Sequence, residues 1–233
     1  MGGLGDERRK DMYHYFDDKE LLHKMRRSSG EIMQSLCHFL KEDYDIGANF
    51  YLVGSGAKKL ILQNAKEPVD LDYNLEIVRC EDFENCRHLK ECVRKSFNKA
   101  LQKQGRPDCE DSTSSLTSKK QRYFYSCNQI DFSIDICITK KDEEDHCYRL
   151  IHEKTGWTVG DKYYWNMAPC SKEIQCKAKC IKSHGKWALV REQYLELKNR
   201  YLQSNDHHHP SFICYMEAVN NVYEAESIGR NEY

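Results

Sequence analysis

The chain has 233 residues and 31% of them are charged, with 36 basic residues against 37 acidic ones. This length suits one large domain or two small ones. The even charge balance disfavours a long nucleic acid as a partner, and no apolar run reaches the roughly 18–20 residues that cross a membrane. Because the first residues lack an apolar signal-peptide core, we expect a cytoplasmic protein whose twelve cysteines are reduced.

The first predicted element is a long helix from Asp18 to Tyr44, preceded by a loosely attached lead-in over residues 1–17. Apolar residues recur in this helix at three- and four-residue steps, as on a buried helix face. Gly30 weakens its middle by about 1 kcal/mol relative to alanine, so we expect either one helix or two pieces. Gly47 then marks the turn into the first strand.

The chemically informative stretch begins with a strand and a glycine-rich turn. Phe50–Val53 is a short apolar run that predicts a buried strand, and Gly54-Ser55-Gly56 breaks it. Residues 57–64 have helical composition, and Pro68 stops this predicted helix. Exposed backbone N–H groups at such a turn favour a phosphate group, and the small residues let it approach closely.

An alternating strand is predicted next, at residues 69–78, with Asp70 and Asp72 on its polar face. The two carboxylates then lie about 6–7 Å apart along the strand. Carboxylates at this distance repel each other unless a cation lies between them. Magnesium prefers carboxylate and phosphate oxygens. A phosphate-binding turn followed by this D-x-D strand therefore predicts a site for a nucleoside triphosphate with its metal ions.

The following segments support this strand. Residues 81–104 predict an amphipathic helix with Gly105 at its C-terminal cap. Residues 106–119 form a polar stretch, which we expect to be a solvated, flexible loop. Residues 121–126 and 147–151 are strand candidates.

A further acidic strand is predicted at residues 129–139. Its apolar positions alternate with a polar face that carries Asp131 and Asp135. These two carboxylates lie about 13 Å apart on an extended strand, so only one of them can join a shared metal site. The pattern alone leaves both open.

The remainder of the chain is aromatic and then helical. Residues 155–169 carry aromatic side chains that either stack on a nucleobase or, as we favour, cement a domain junction. These side chains are Trp157, Tyr163, Tyr164 and Trp165. Three helices are predicted, one through Ile174, Ala178 and Ile181, one over residues 187–202 and one from Ser211. The last eight residues, 226–233, are predicted to be loose.

Histidine and cysteine groups raise the question of zinc. Two clusters occur, and neither has the C-x2-C spacing of common zinc modules. They are Cys80, Cys86, His88 and Cys92, and Cys170, Cys176, Cys180 and His184. We interpret both as half-buried thiols. The triplet His207–His209 is interpreted as a turn, because adjacent side chains do not converge easily on one ion.

The spacing of Gly54-Ser55, fourteen residues, and Asp70-Leu71-Asp72 resembles the signature of the polymerase-beta-type nucleotidyltransferase superfamily. Members of this superfamily carry a third carboxylate on a later strand. The segment FSIDICI resembles that strand and favours Asp135 over Asp131. The resemblance covers roughly residues 30–140.

The resemblance implies an α/β (α+β) mixed-sheet domain over residues 1–155 and a helical region over residues 156–233 that closes the cleft. It implies transfer of a nucleoside monophosphate from an NTP to an acceptor hydroxyl, with two Mg²⁺ ions, or Mn²⁺, as cofactors. The acceptor is open: a small molecule, a nucleotide, a protein or an RNA end. The residues assigned to the site are Gly54, Ser55, Lys58 and Lys59 for the triphosphate and Asp70, Asp72 and Asp135 for catalysis and the metal ions. Lys172, Lys177, Lys179 and Lys182 are further candidates for triphosphate contacts, although a solvated helix face is the simpler interpretation.

Two other functions are compatible with the sequence. The fold could serve as a nucleotide-binding regulatory module with little catalysis, although three unused carboxylates would destabilise a protein that binds no cation. A zinc-dependent nucleic-acid binder would use the two Cys/His clusters instead.

Overall fold

The computed structural model describes residues 12–64, 68–125, 128–204, 206 and 210–225, with only the backbone for residues 121–125, 128 and 129. Contacts divide the chain into two units. The sheet unit comprises Asp17–Lys59 and Pro68–Ala168. The helical unit takes its described residues from Met1–Phe16, Leu60–Glu67 and Pro169–Tyr233. The domain boundary between residues 155 and 156 remains a prediction.

The predicted mixed α/β fold is confirmed by a mixed sheet in the sheet unit. Five strands run in the order β10–β9–β8–β4–β2, the short strands β6 and β7 each pair with β8, and β5 pairs with β6. Strands β4 and β8 are parallel to each other, whereas the other pairs are antiparallel. The main strands are β2 (Gly47–Leu52), β4 (Val69–Arg79), β8 (Asn128–Lys141), β9 (Cys147–Glu153) and β10 (Lys162–Met167). The short strands are β5 (Glu110–Asp111), β6 (Leu116–Thr117) and β7 (Gln121–Tyr125).

The first helix, α1 (Lys19–Tyr44), is continuous through Gly30. Its ends are capped, since the Asp18 side chain accepts a hydrogen bond from the N–H of Leu21 and Asp45 closes the C-terminus in the left-handed region. Nothing lies within 4 Å of a Cβ built on Gly30. With both caps in place, the glycine does not divide the helix.

Helix α3 (Cys86–Lys103) begins later than predicted. The Asp82 carboxylate accepts hydrogen bonds from the N–H groups of Glu84 and Asn85, which form a turn instead of a helix. The side chain of Asn85 then caps the helix by accepting from the N–H of His88. The predicted start at residue 81 was therefore wrong by five residues, because side-chain hydrogen bonds compete with helix formation.

The core of the sheet unit forms on the apolar face of β4 and β8. The alternation predicted for these strands is confirmed, since the buried positions recur at every second residue. Helices α1 and α3 contribute further buried side chains and contact each other. The fully buried residues include Leu71, Leu75, Ile134, Ile136, Leu36, Val93 and Phe97. The opposite, polar face of both strands lies outside this core and carries the candidate active-site residues.

The helix predicted over residues 57–64 is wrong in its position. The observed helix, α2, spans only Gly54–Lys58. Lys59 ends it by adopting the left-handed conformation, with a φ of 60°. Leu60 then joins the core of the helical unit, and Leu62–Gln63 forms the short strand β3.

The polar segment 106–119 is also more ordered than predicted. Strands β5 and β6 pair with each other in it, and β6 pairs with β8. Leu116 is fully buried opposite Ile136, which anchors the segment to the sheet. The prediction missed this because one apolar residue in a polar stretch is too weak a periodic signal.

The helical unit contains the three predicted helices. They are α4 (Lys172–Ser183), α5 (Trp187–Gln203) and α6 (Ser211–Ala225), and their apolar faces share one core. Part of the supposed lead-in is ordered, because β1 (His14–Tyr15) pairs with β3. The Tyr15 hydroxyl also donates to the carbonyl of Arg191 over 2.5 Å. Residues 1–11, the triplet His207–His209 and the tail 226–233 lie outside the described residues.

Among the described helices, none is both long enough and apolar enough to span a bilayer.

Candidate active site

The parallel pairing of β4 with β8 brings the predicted carboxylates together. Asp72 and Asp135 are direct partners in this register. Asp70, two residues earlier on β4, is the partner of Ser133. Partners on neighbouring strands lie about 4.8 Å apart and project to the same side of the sheet. Asp131 lies four residues before Asp135, where its backbone partner is Arg122 on β7. Asp135 thus lies beside the D-x-D pair, as chosen from the resemblance, although its role stays a prediction.

The electrostatics of this group are unfavourable without a cation. Burial, the charge of Asp135 and that of Asp70 together raise the pKa of Asp72 to about 6, and Lys58 only partly opposes them. Burial also raises the pKa of Asp135, against a hydrogen bond from Thr117. The neighbouring negative charges and the burial of Asp72 make its ionised form costly, so a bound cation would relieve a real free-energy penalty.

The glycine turn packs directly against Asp72. Gly54 adopts a φ of +61°, and a Cβ at this position would lie 2.1 Å from Oδ2 of Asp72. A side chain is therefore excluded by both the backbone conformation and the contact. The N–H of Val53 donates to the carbonyl of Asp72 over 2.8 Å, which ties the turn to β4. The sequence signature of turn and D-x-D strand is thus one structural unit.

The other predicted triphosphate residues differ in their placement. Lys58 donates to the Gly54 carbonyl over 3.2 Å, and its charge acts on Asp72. Lys59 is exposed and uses its N–H to cap α2 on the Ser55 carbonyl. Within the described residues the Ser55 hydroxyl makes no hydrogen bond, so it is available to a substrate. Arg26, which sequence reasoning missed, steadies the turn from α1 by donating to the carbonyl of Gly56 over 2.5 Å.

Two hydroxyl groups that sequence reasoning did not assign contact the carboxylates. Ser133 donates to Oδ1 of Asp70. Thr117 donates to Oδ1 of Asp135 over 2.5 Å. Ser133 could have been found, because it lies two residues before Asp135 on the same strand face. Thr117 lies in the segment predicted to be a loop, and only the pairing of β6 with β8 places it there.

A buried network anchors the β5–β6 hairpin that carries Thr117. The ammonium of Lys90 lies 2.6 Å from Oδ1 of Asp111 and donates to the carbonyl of Ser112. His152 has one ring nitrogen 2.9 Å from Asp111 and the other 2.9 Å from Asp161. An ionised carboxylate only accepts hydrogen bonds, so a ring nitrogen that carries a proton donates to the carboxylate it faces. This network, called the anchor cluster below, fixes the hairpin to α3 and β9.

The metal that the resemblance implies fits the donor chemistry of the three carboxylates. Carboxylate oxygens are the ligands that Mg²⁺ and Mn²⁺ prefer. Within the described ranges, however, no three His, Cys, Asp or Glu side chains are arranged as a preformed metal cluster. Two of the carboxylates instead accept from Ser133 and Thr117.

The remaining candidates have structural contacts. Cys92 lies 3.4 Å from Nε2 of His88, and no disulfide joins the cysteines that the structure describes. In the aromatic segment, Trp165 donates to the Phe83 carbonyl and Tyr163 stacks on His152. The candidate lysines belong to the helical unit, where Lys177 pairs with Glu173 and Lys182 lies over the Trp187 ring. Contacts of these lysines with substrate remain predictions.

Solved structures of CD-NTases resemble this chain. CdnC of E. coli MS115-1, solved with ATP, has a TM-score of 0.51 and 14% identity, covering 93% of this chain and 64% of that one. The CdnE c-UMP-AMP synthase of Rhodothermus marinus has a TM-score of 0.49 and 12% identity, with coverages of 83% and 70%. CdnG of Bradyrhizobium diazoefficiens, solved with GTP, has a TM-score of 0.42 and 16% identity, with coverages of 63% and 39%. The chain therefore spans about two fifths of CdnG and less than two thirds of CdnC.

This chain has the fold of the polymerase-beta-type nucleotidyltransferases. No protein-family model and no curated protein sequence matches it. At 14% identity the likeness to CdnC carries the fold alone. The function must therefore be argued from the carboxylates and the turn.

Proposed function

We propose that the chain is a nucleotidyltransferase that moves a nucleoside monophosphate from an NTP to an acceptor hydroxyl and releases pyrophosphate. The observation that carries this proposal is the register of Asp72 with Asp135 beside the Gly54 turn. Three carboxylates meet there next to a backbone position that admits no side chain. That combination suits a triphosphate held with divalent cations better than it suits a structural strand pair.

Each residue then has a distinct role. Asp70 and Asp72 would hold the two divalent cations, Mg²⁺ or Mn²⁺, with Asp135 completing the set. Bound there, the cations would neutralise charge on the triphosphate and on the attacking and leaving oxygens. Asp135 would also accept the proton of the acceptor hydroxyl.

The turn would position the substrate. Gly54 leaves room for the Asp72 carboxylate beside the turn, and the Ser55 hydroxyl would donate a hydrogen bond to the triphosphate. Lys58 would add positive charge beside the β and γ phosphates. Lys59 is exposed, so its positive charge would act on the triphosphate from a longer distance, without direct contact.

ATP is the first nucleotide to test, because CdnC was solved with it. The full chain is incubated with each of the four α-³²P-labelled NTPs and Mg²⁺, and products are separated by size while pyrophosphate is assayed. We expect label to move into a product and pyrophosphate to appear, and both to disappear in Asp72→Asn. The acceptor class follows from the size of the labelled product.

Calorimetric titration with ATP and GTP, with and without Mg²⁺, separates this proposal from its alternative. Magnesium-dependent binding without pyrophosphate release, with acceptors of every class supplied, would instead favour a nucleotide-binding regulatory module. The absence of any magnesium-dependent binding would contradict the assignment of the carboxylates.

A further inference from the structure

A cavity of about 480 Å³ lies in the sheet unit beside the start of α3. The end of β8 and the facing parts of β9 and β10 form its walls. Its volume falls within the roughly 300–1,000 Å³ of small-molecule sites. The side chains that matter to its chemistry are Lys140, Asp142, Tyr148, Trp165 and Glu84.

This cavity is separate from the carboxylates of the candidate active site. Lys140 follows Asp135 by five positions on β8, a distance of about 17 Å on an extended strand. An odd number of positions also places the two side chains on opposite faces of the sheet. Lys140 shares the face of the buried residues Ile136 and Ile138. A ligand in this cavity therefore leaves the polar face unoccupied.

Aromatic rings surround the ammonium group of Lys140. It lies 4.8 Å from the ring centre of Trp165, 5.6 Å from that of Phe83 and 6.0 Å from that of Tyr148. Its side chain is only 19% exposed, while its ion-pair partner Glu84, at 3.2 Å, is 85% exposed. An ion pair with so exposed a carboxylate contributes little, so an incoming anion can replace Glu84.

The carboxylate of Asp142 is already engaged. It accepts hydrogen bonds from the backbone N–H groups of Glu144 and His146 and from the Tyr148 hydroxyl. A cationic ligand would therefore gain little binding free energy from the Asp142 carboxylate. Among the residues that line this cavity, Lys140 is the cation that a ligand can meet, and the rings beside it offer flat apolar surface.

We infer that this cavity binds a small planar aromatic acid, with its ring on Trp165 and Tyr148 and its anionic group on the Lys140 ammonium in place of Glu84. The volume, the rings and the partly buried cation are each matched by this class of ligand. Neither the active-site carboxylates nor the Gly54 turn takes part in this binding, so the inference is independent of the proposed function.

The test is a calorimetric titration of the full chain with 2-naphthoate, compared with its neutral analogue 2-naphthamide. The acid is expected to bind at one site and the amide to bind about tenfold more weakly, because the amide carries no negative charge to pair with the Lys140 ammonium. Equal affinity for both compounds, or no binding of 2-naphthoate at millimolar concentration, would overturn the inference.

Two variants and a matched control place the acid in the cavity. Lys140→Met should weaken binding of 2-naphthoate about tenfold or more. Lys141→Met, which changes the neighbouring exposed lysine that pairs with Asp145, should leave affinity unchanged. Glu84→Gln should tighten binding, because it removes the competing carboxylate, and general damage to the fold would not produce this sign. Equal effects of the two lysine variants would contradict the assignment.

Competition separates this cavity from the nucleotide site. Saturating ATP with Mg²⁺ is expected to leave the affinity for 2-naphthoate within about twofold, since the two sites lie on opposite faces of the sheet. Displacement of 2-naphthoate by ATP in proportion to occupancy would show that the acid occupies the nucleotide site and would refute the inference.

Discussion

Carboxylates gather in two places in the sheet unit, with opposite electrostatic consequences. In the anchor cluster, Asp111 contacts the ammonium of Lys90, and Asp111 and Asp161 each contact a ring nitrogen of His152. There the hydrogen bonds from Thr155 and His152 hold the pKa of Asp161 below its usual range. In the candidate active site, Asp72 lies beside two further carboxylates and its pKa is raised to about 6.

The difference indicates what each group of residues does. The carboxylates of the anchor cluster have their partners within the chain, so the expected role of this cluster is to hold the β5–β6 hairpin in place. The active-site carboxylates remain short of positive charge, so their arrangement is stabilised only when a cation arrives from outside. Loss of a residue should therefore damage stability in the first group and activity in the second.

The largest effect should come from the carboxylate that completes the active site. Asp135→Asn is expected to reduce nucleotidyl transfer below detection, because it removes both a metal ligand and the proton acceptor. Asp131→Asn, on the same strand, is the matched control and should stay within a few-fold of the parent. Turnover is measured with whichever NTP the parent accepts. An inactive Asp131→Asn beside an active Asp135→Asn would show that the assignment is displaced by four residues.

A substitution in the anchor cluster should lower stability more than activity. Lys90→Met leaves the carboxylate of Asp111 short of its buried partner, which typically costs about 3–5 kcal/mol of unfolding free energy. Lys99→Met, in the same helix, removes an exposed ion pair with Asp43 and should cost at most about 1 kcal/mol. Urea unfolding measures both. Similar losses in the two variants would mean that the cluster is not an anchor.

The pH dependence of stability tests the free-energy cost of ionising Asp72, which is buried beside two further carboxylates. The folded protein binds this proton more tightly than the unfolded chain, so stability is lost as the pH rises from about 4 to about 6. A shift of about two pKa units corresponds to a loss of up to about 3 kcal/mol. Asp72→Asn lacks this loss and should match the parent near pH 4 but exceed it at pH 7.5.

Magnesium provides the control for this pH effect. At pH 7.5 it should raise the melting temperature of the parent more than that of Asp72→Asn, because the cation offsets the cost of the ionised, buried carboxylate. An equal rise in both proteins would mean that Asp72 does not hold the metal.

The smallest expected effect concerns Thr117, which links the two groups. Thr117→Val removes the hydrogen bond to Asp135 and should reduce kcat by about tenfold, with KM little changed. The bond lowers the pKa of Asp135, so its loss should also move the acid limb of the pH–rate profile to higher pH. Thr117→Ser keeps the hydroxyl and should restore both. If Thr117→Ser does not restore the pH–rate profile, then Thr117 acts through packing and not through its hydroxyl group.

The strongest sequence predictions were those based on long periodic patterns. The alternation of β4 and β8 was confirmed because residues that alternate between core and solvent leave a clear period of two. The helices α4 to α6 were predicted for the corresponding reason. The less accurate predictions, the start of α3 and the extent of α2, lie where single side-chain hydrogen bonds or one left-handed residue decide the outcome.

The sequence by itself determined the fold class, the Gly-Ser turn and the face on which Asp70, Asp72 and Asp135 would lie, because these depend on local composition and strand period. The tertiary structure alone decided that Asp72 and Asp135 are partners, that Thr117 donates to Asp135, and that Lys90 and His152 hold the hairpin beneath it. The physical reason is that strand pairing and buried charge contacts join residues far apart in the chain, and no local pattern records which distant partner each will meet.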